Sequence, residues 1–358
     1  MKTKKLFAAA MLLGGIVLSN GQTVTNVATN GLTSYGYDAG SVAGQHSAFY
    51  GTNAGQNLSN LGNTAIGHSS GVSVSGSTAK DNSFFGYMTG YSITSGSSNV
   101  IMGHRAGTFL TTGNSNTLTG LIAGESTTGG NANAFYGRGA GNKNENGSKN
   151  VYLGSNSGFY NEGSNNIFIG YRAGFNFNYN ILPSVSNKLL VDNESDNFPI
   201  IYGDFDTNKV GVNFDINNVS ATSNGFPSTV GTTDLSDYQL FVNGGVLATE
   251  VRVALNSSWA WADYVFAKDY KLPTLTEVEQ YIAQNGHLPN VPSAKEVKEN
   301  GIEVGEMAKI QQEKIEELTL YTIAQNKQLE AQQKQLDAQQ KEIEELKAAV
   351  KALVATKK

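Results

Sequence analysis

The chain has 358 residues, of which 41 are glycine and none is cysteine; 15% are charged, and the formal net charge is −5. So much glycine with so little charge is foreign to a single globular enzyme, and the absence of cysteine excludes disulfides, thiolate chemistry and a lipid anchor on a cysteine. The acidic balance argues against nucleic acid or another polyanion as partner.

Lys2, Lys4 and Lys5 precede an apolar run from Leu6 to Leu18, and Ser19-Asn20-Gly21 places small residues before a cut at Gln22. The pattern predicts a secretory signal peptide over residues 1–21, because about 13 apolar residues are too few for a bilayer that needs roughly 20. The expected destination is the cell surface or the exterior rather than the periplasm.

Within an expected head of residues 22–180, the stretch from about Leu32 to Gly174 repeats Asn-x-φ-φ-Gly-x-x-[Ala/Ser/Thr]-Gly, where φ is mostly apolar. The nine leading glycines are Gly36, Gly51, Gly67, Gly86, Gly103, Gly120, Gly137, Gly154 and Gly170, and a closing glycine follows each by four residues. Asn63, Asn82, Asn99, Asn116, Asn133, Asn150 and Asn166 stand four residues before seven of them. A period near 17 is too short for helical repeats, which leaves one coil of a parallel β-solenoid, or β-roll, per unit. Short strands such as Asn99-Val-Ile-Met would alternate with glycine turns, and the asparagines would bond turn backbone and stack into a ladder. Glycine and alanine at the second corner suggest room for another chain's backbone. At about 4.8 Å per coil, nine coils make a rod on the order of 40 Å long.

Units such as Asn150-Val-Tyr-Leu-Gly154-Ser-Asn-Ser-Gly158 resemble the head repeats of trimeric autotransporter adhesins of the Yersinia adhesin type. The resemblance implies three chains packed into one head that adheres to a host matrix or to other cells. This chain departs from that family in its longer repeat and in lacking a C-terminal segment that reads as membrane-barrel strands.

Residues 181–256 lose the repeat. Leu189-Leu-Val, Ile200-Ile-Tyr, Val210-Gly-Val and Leu240-Phe-Val predict the strands of a small β neck, and Asn243-Gly244 predicts a tight hairpin. The segment resembles the connectors of tail-fibre-like proteins. Residues 257–305 read as a short helical module containing Trp259 and Trp261. Thr274 with Glu277 and Ser293 with Glu296 form capping boxes, and Gly286 and Gly301 supply the stops. The stretch from Trp261 to Met307 resembles a C-terminal module of secreted Bacteroidota proteins.

Over residues 306–358 a parallel coiled coil is expected, with one heptad register unbroken from Ile315 to Leu353. Its a positions are Ile315, Thr322, Leu329, Leu336, Ile343 and Val350; its d positions are Leu318, Gln325, Gln332, Gln339, Leu346 and Leu353. The three central glutamines would fix register and strand number. Ile at a with Leu at d favours two strands, whereas the head resemblance implies three, and the repeat-rich head decides for a homotrimer. A leucine-zipper reading fails because residues 295–314 have four lysines against five glutamates, where a DNA-gripping helix needs a basic face.

His68 and His104 lie two coils apart, too far to share a metal, and the head lacks the aspartates of a calcium-binding roll. Ser257 and Ser258 precede the helices, but no further element of a self-cleaving chaperone accompanies them. No catalytic, cofactor-binding or metal-ligating residue is therefore expected. Aromatics before the leading glycine, such as Tyr50, Phe85 and Tyr136, read as core. Those after it, Tyr87 and Tyr171, read as an outer surface for a glycan, protein or other surface ligand. The expected whole is mainly β: a secreted homotrimeric fibre, adhesive or serving as a structural shaft.

Overall fold

The computed structural model describes residues 24–27, 32–40, 46–59, 61–175, 184–194, 198–213, 226–254 and 261–356. The expected signal peptide, Trp259, Ser257 and Ser258 lie outside these. The chain folds as two compact units, Met1–Ser228 with Asp237–Val246, and Thr229–Ser236 with Leu247–Lys358.

The first unit is a parallel β-solenoid. Its strands are β1 (Val24–Val27), β2 (Leu32–Tyr35), β3 (Ala48–Tyr50), β4 (Thr64–Ile66), β5 (Ser83–Phe85), β6 (Val100–Met102), β7 (Thr117–Thr119), β8 (Ala134–Tyr136), β9 (Val151–Leu153) and β10 (Ile167–Ile169). From β2 to β10 each strand pairs in parallel with the next, so that nine strands are joined by about eight turns. Equivalent residues lie side by side, as in Phe84, Ile101 and Leu118. β1, which carries no repeat signature, pairs antiparallel with β2.

Each three-residue strand turns its middle side chain inward. Phe49, Ala65, Phe84, Ile101, Leu118, Phe135, Tyr152 and Phe168 are all fully buried, and Phe135, Tyr152 and Phe168 stack with ring centroids 4.8 and 5.0 Å apart. Burying each large side chain of this column contributes roughly 1.5–3 kcal/mol. The core is therefore the column one residue earlier than expected. Tyr50 and Tyr136 are exposed and Phe85 is half-buried, because neighbours in a strand face opposite sides.

The corners explain the glycines. Gly103 has φ +131°, and a Cβ there would lie 2.7 Å from the carbonyl carbon of Gly120 in the next coil. At the closing corner, a Cβ on Gly158 would meet the Tyr152 ring. The small residues of this corner, among them Ala54, Ala106, Ala123 and Ala140, are fully buried inside their own coil. They make room for the chain's own core.

The asparagine ladder is present and buried. Asn116 Nδ2 donates to Asn99 Oδ1 at 3.1 Å and to the Gly130 carbonyl at 2.8 Å, while its Oδ1 accepts from the Asn133 backbone N–H at 3.0 Å and from Asn133 Nδ2 at 3.1 Å. The pattern runs from Asn63 to Asn166 and ends on the Lys188 N–H.

Four strands of the segment expected as a β neck continue this sheet. β11 (Lys188–Val191) pairs in parallel with β10, β12 (Ile201–Asp204) and β13 (Lys209–Val212) follow antiparallel, and β16 (Leu240–Val242) closes the order beside β13. Asn243-Gly244 makes no hairpin: residues 243–254 form no strand, and Asn243 does not adopt the positive φ of that turn.

In the second unit, β14 (Thr229–Val230) and β15 (Thr233–Asp234) form a small hairpin. A 3-10 turn at Ala262–Phe266 precedes α1 (Leu275–Asn285), α2 (Ala294–Asn300) and α3 (Val304–Thr356). Both capping boxes form as the sequence predicts, and Gly286 adopts the left-handed conformation that ends α1. α3 is one helix of 53 residues. Among the described residues, no helix is long and apolar enough to cross a membrane.

Candidate functional site

Three surfaces stand out. On the solenoid, the side chains flanking each buried middle residue point outward and are mostly apolar. Tyr50, Ile66, Met102, Tyr136 and Leu153 are exposed, and Phe85, Thr119 and Ile169 continue the same column half-buried. Val191 and Val212 carry related outward positions into β11 and β13.

The second surface is the column just after the leading glycines. Tyr87 and Tyr171 are exposed by 44% and 49%. The structure adds a contact that sequence reasoning missed: Tyr87 is sandwiched between His68 and His104, with centroids 5.5 and 5.0 Å apart and planes within 20° of parallel. A coil spacing near 4.8 Å makes such stacking automatic when consecutive coils carry flat rings at one position. Both ring faces of Tyr87 are occupied, so only its edge and hydroxyl meet solvent. Among the described residues, no cluster of three or more His, Asp or Glu side chains is placed to hold a metal.

The third surface is the stripe along α3. Ile315, Leu318, Leu329, Leu336, Ile343, Leu346, Val350 and Leu353 are exposed by 44–65%, and Thr322, Gln325, Gln332 and Gln339 lie exposed between them. The same spacing extends upstream through Gln311 and Ala308 to Val304, all exposed.

The opposite side of the helix is covered instead, and by unexpected chemistry. Glu313, Glu316 and Glu317 are buried. The Tyr264 hydroxyl donates to Glu313 Oε2, and that of Tyr270 to Glu317 Oε1 at 2.5 Å. Asn290 Nδ2 donates to Glu313 Oε1 at 3.2 Å, and Lys314 Nζ lies 2.7 Å from Glu313 and 2.9 Å from Glu317. Burial pushes the Glu313 carboxyl up, but the hydrogen bonds from Lys314, Tyr264 and Asn290 outweigh it and hold the group below the usual range. Burial and the Glu313 carboxylate push the Tyr264 phenol up to about 12. A heptad reading assigns these glutamates to solvent; the Tyr264, Tyr270 and Asn290 groups that bond Glu313 and Glu317 lie more than twenty residues away, where no local period registers them.

Comparison with family models, curated proteins and solved structures gave no match.

Proposed function

We propose that the chain is the subunit of a secreted, homotrimeric fibrous surface protein that adheres through its solenoid, without a catalytic step. The observation that supports this best is that each unit keeps a long apolar surface exposed: the outward column of the sheet in one, the α3 stripe in the other. Soluble monomers rarely carry contiguous apolar patches beyond a few hundred Å², and such patches mark interaction sites. Closed association of identical chains covers both surfaces and leaves no unmatched one. On α3 the heptad spacing of the stripe supports a coiled coil, and identical chains in one fibre would run parallel in it. Export follows from the N-terminal pattern.

In this reading the remaining solenoid surface meets a glycan, a protein or another surface. Three copies on one fibre raise the effective concentration, so weak single contacts suffice. Light scattering of the chain at micromolar concentration should return three times the subunit mass; a monomer sinks the proposal.

One observation favours a second reading, that of a structural shaft. The His68–Tyr87–His104 stack uses the ring faces that would grip a sugar, which suits a spacer better than a lectin-like site. Deleting residues 36–174 separates the two: adhesion is lost if the solenoid binds, and only the length of the assembly changes if it spaces.

A further inference from the structure

α1 has 11 residues and two complete end signals, yet none of its side chains is buried within the chain. Leu275 is 63% exposed and Ile282 42%. An isolated helix this short is marginal in water, and an amphipathic one depends on a surface that covers its apolar side. The position of α1 indicates which surface that is. The Tyr321 hydroxyl donates to the Pro273 carbonyl at 2.6 Å, just before the Thr274 cap, and this fixes the start of α1 beside Tyr321. In the heptad frame set by Ile315 and Leu318, Tyr321 occupies the g position, on one flank of the stripe. The other flank at the same level is the e position, Thr319, and it is exposed. The chain thus covers its g flank with its own module and leaves the Thr319 side open.

In a parallel coiled coil the g flank of one helix faces the e flank of the next. We propose that the first turn of α1, through Leu275, packs against the Thr319 flank of a neighbouring copy of this chain, so that each module straps its own helix to the next around a closed ring. The proposal rests on the coiled-coil reading of α3 and assigns the module a part in it: a cyclic, head-to-tail collar that sets the parallel orientation and register of the helices. Such a contact closes only with identical neighbours.

The chain has no cysteine, which makes the test direct. Two full-length chains distinguished by size, one carrying Leu275→Cys and the other Thr319→Cys, are co-expressed and treated with a short bis-maleimide. Both positions are exposed, so folding is unaffected. The expected product is a covalent heterodimer on a denaturing gel, well above the level from either variant alone. A parallel sample with Leu346→Cys in both chains reports on the coiled coil itself. If Leu346→Cys cross-links and the Leu275–Thr319 pair does not, the collar is refuted while the coiled coil stands. If neither cross-links, the coiled coil falls and the collar with it.

Discussion

Replacing Asn116 tests what holds the coils together. Its amide makes four hydrogen bonds with the coils on either side and is 1% exposed. Asn116→Ala leaves the Gly130 carbonyl and the Asn133 backbone N–H without their partners in a site closed to water. At about 1–3 kcal/mol for each unsatisfied buried group, the loss is roughly 3–5 kcal/mol with the lost packing included. Asn116→Asp keeps the shape and separates the causes. A carboxylate there would set an acceptor oxygen against the Gly130 carbonyl and Asn99 Oδ1, so the folded state favours the protonated acid, which can still donate. The folded pKa is then raised above the unfolded value of about 3.9, and the variant's stability is retained below that value and lost as pH rises through the folded pKa. A rise of about three units corresponds to about 4 kcal/mol at pH 7. Asn114 provides the control, since it bonds Asn131 and Ser97 across coils in the same way but at the solvent edge. Asn114→Ala should therefore cost less than about 1 kcal/mol. Guanidinium unfolding of the full chain, followed by circular dichroism at pH 4 and pH 7, measures all three. If Asn114→Ala matches Asn116→Ala, or Asn116→Asp shows no pH dependence, the ladder does not act through buried hydrogen bonds.

Gly103→Ala should destabilise the solenoid by about 3–5 kcal/mol, combining a strained positive φ with a clash against the Gly120 backbone; a cost below about 1 kcal/mol in the same unfolding assay would refute the close approach. Ile122 holds φ +52° where equivalent coils place Asn53, Gly139 and Asn156. A β-branched residue is strained there, so Ile122→Asn should stabilise by about 1 kcal/mol, read as a higher unfolding midpoint. The depressed pKa of Glu313 gives stability that is present above the unfolded carboxylate range and lost as pH falls through the folded pKa, whereas the raised pKa of Tyr264 gives stability lost only at strongly alkaline pH. Tyrosine fluorescence should report loosening of the 261–321 module in acid, and Glu313→Gln should flatten that acid limb.

The solenoid was legible because its signals are local and repeated. The spacing of Asn99, Asn116 and Asn133 matches the strand register residue for residue, and both capping boxes need only four consecutive positions. The core column is misplaced by one because two large aromatics stand side by side in Phe49-Tyr50 and Phe135-Tyr136, and a three-residue strand is too short for its alternation to choose between them. Reading down the coils does not settle it either, because each column has one polar member, Ser34 in the middle column and Thr119 in the column before the glycine. Neither the Tyr264–Glu313 and Tyr270–Glu317 bonds nor the antiparallel β1 could be read in this way, since both depend on meetings that no repeat marks.

Comparing columns within this one chain also bears on what the solenoid does. The column after the leading glycine holds Tyr37, Thr52, His68, Tyr87, His104, Leu121, Arg138, Ser155 and Tyr171, so almost any chemistry is accepted there. That tolerance follows from the fold, because the ladder and the middle column lie inward and the leading glycines face the backbone of the next coil. The column before the glycine is just as external in one chain, yet from Tyr50 to Ile169 only Thr119 is polar. Packing within the chain does not require this, since Thr119 sits in the column without disturbing the parallel register of β7 with β6 and β8. A column that stays apolar while its neighbour varies freely supports the proposed association of identical chains, because its repetition along the sheet is what an identical chain can match.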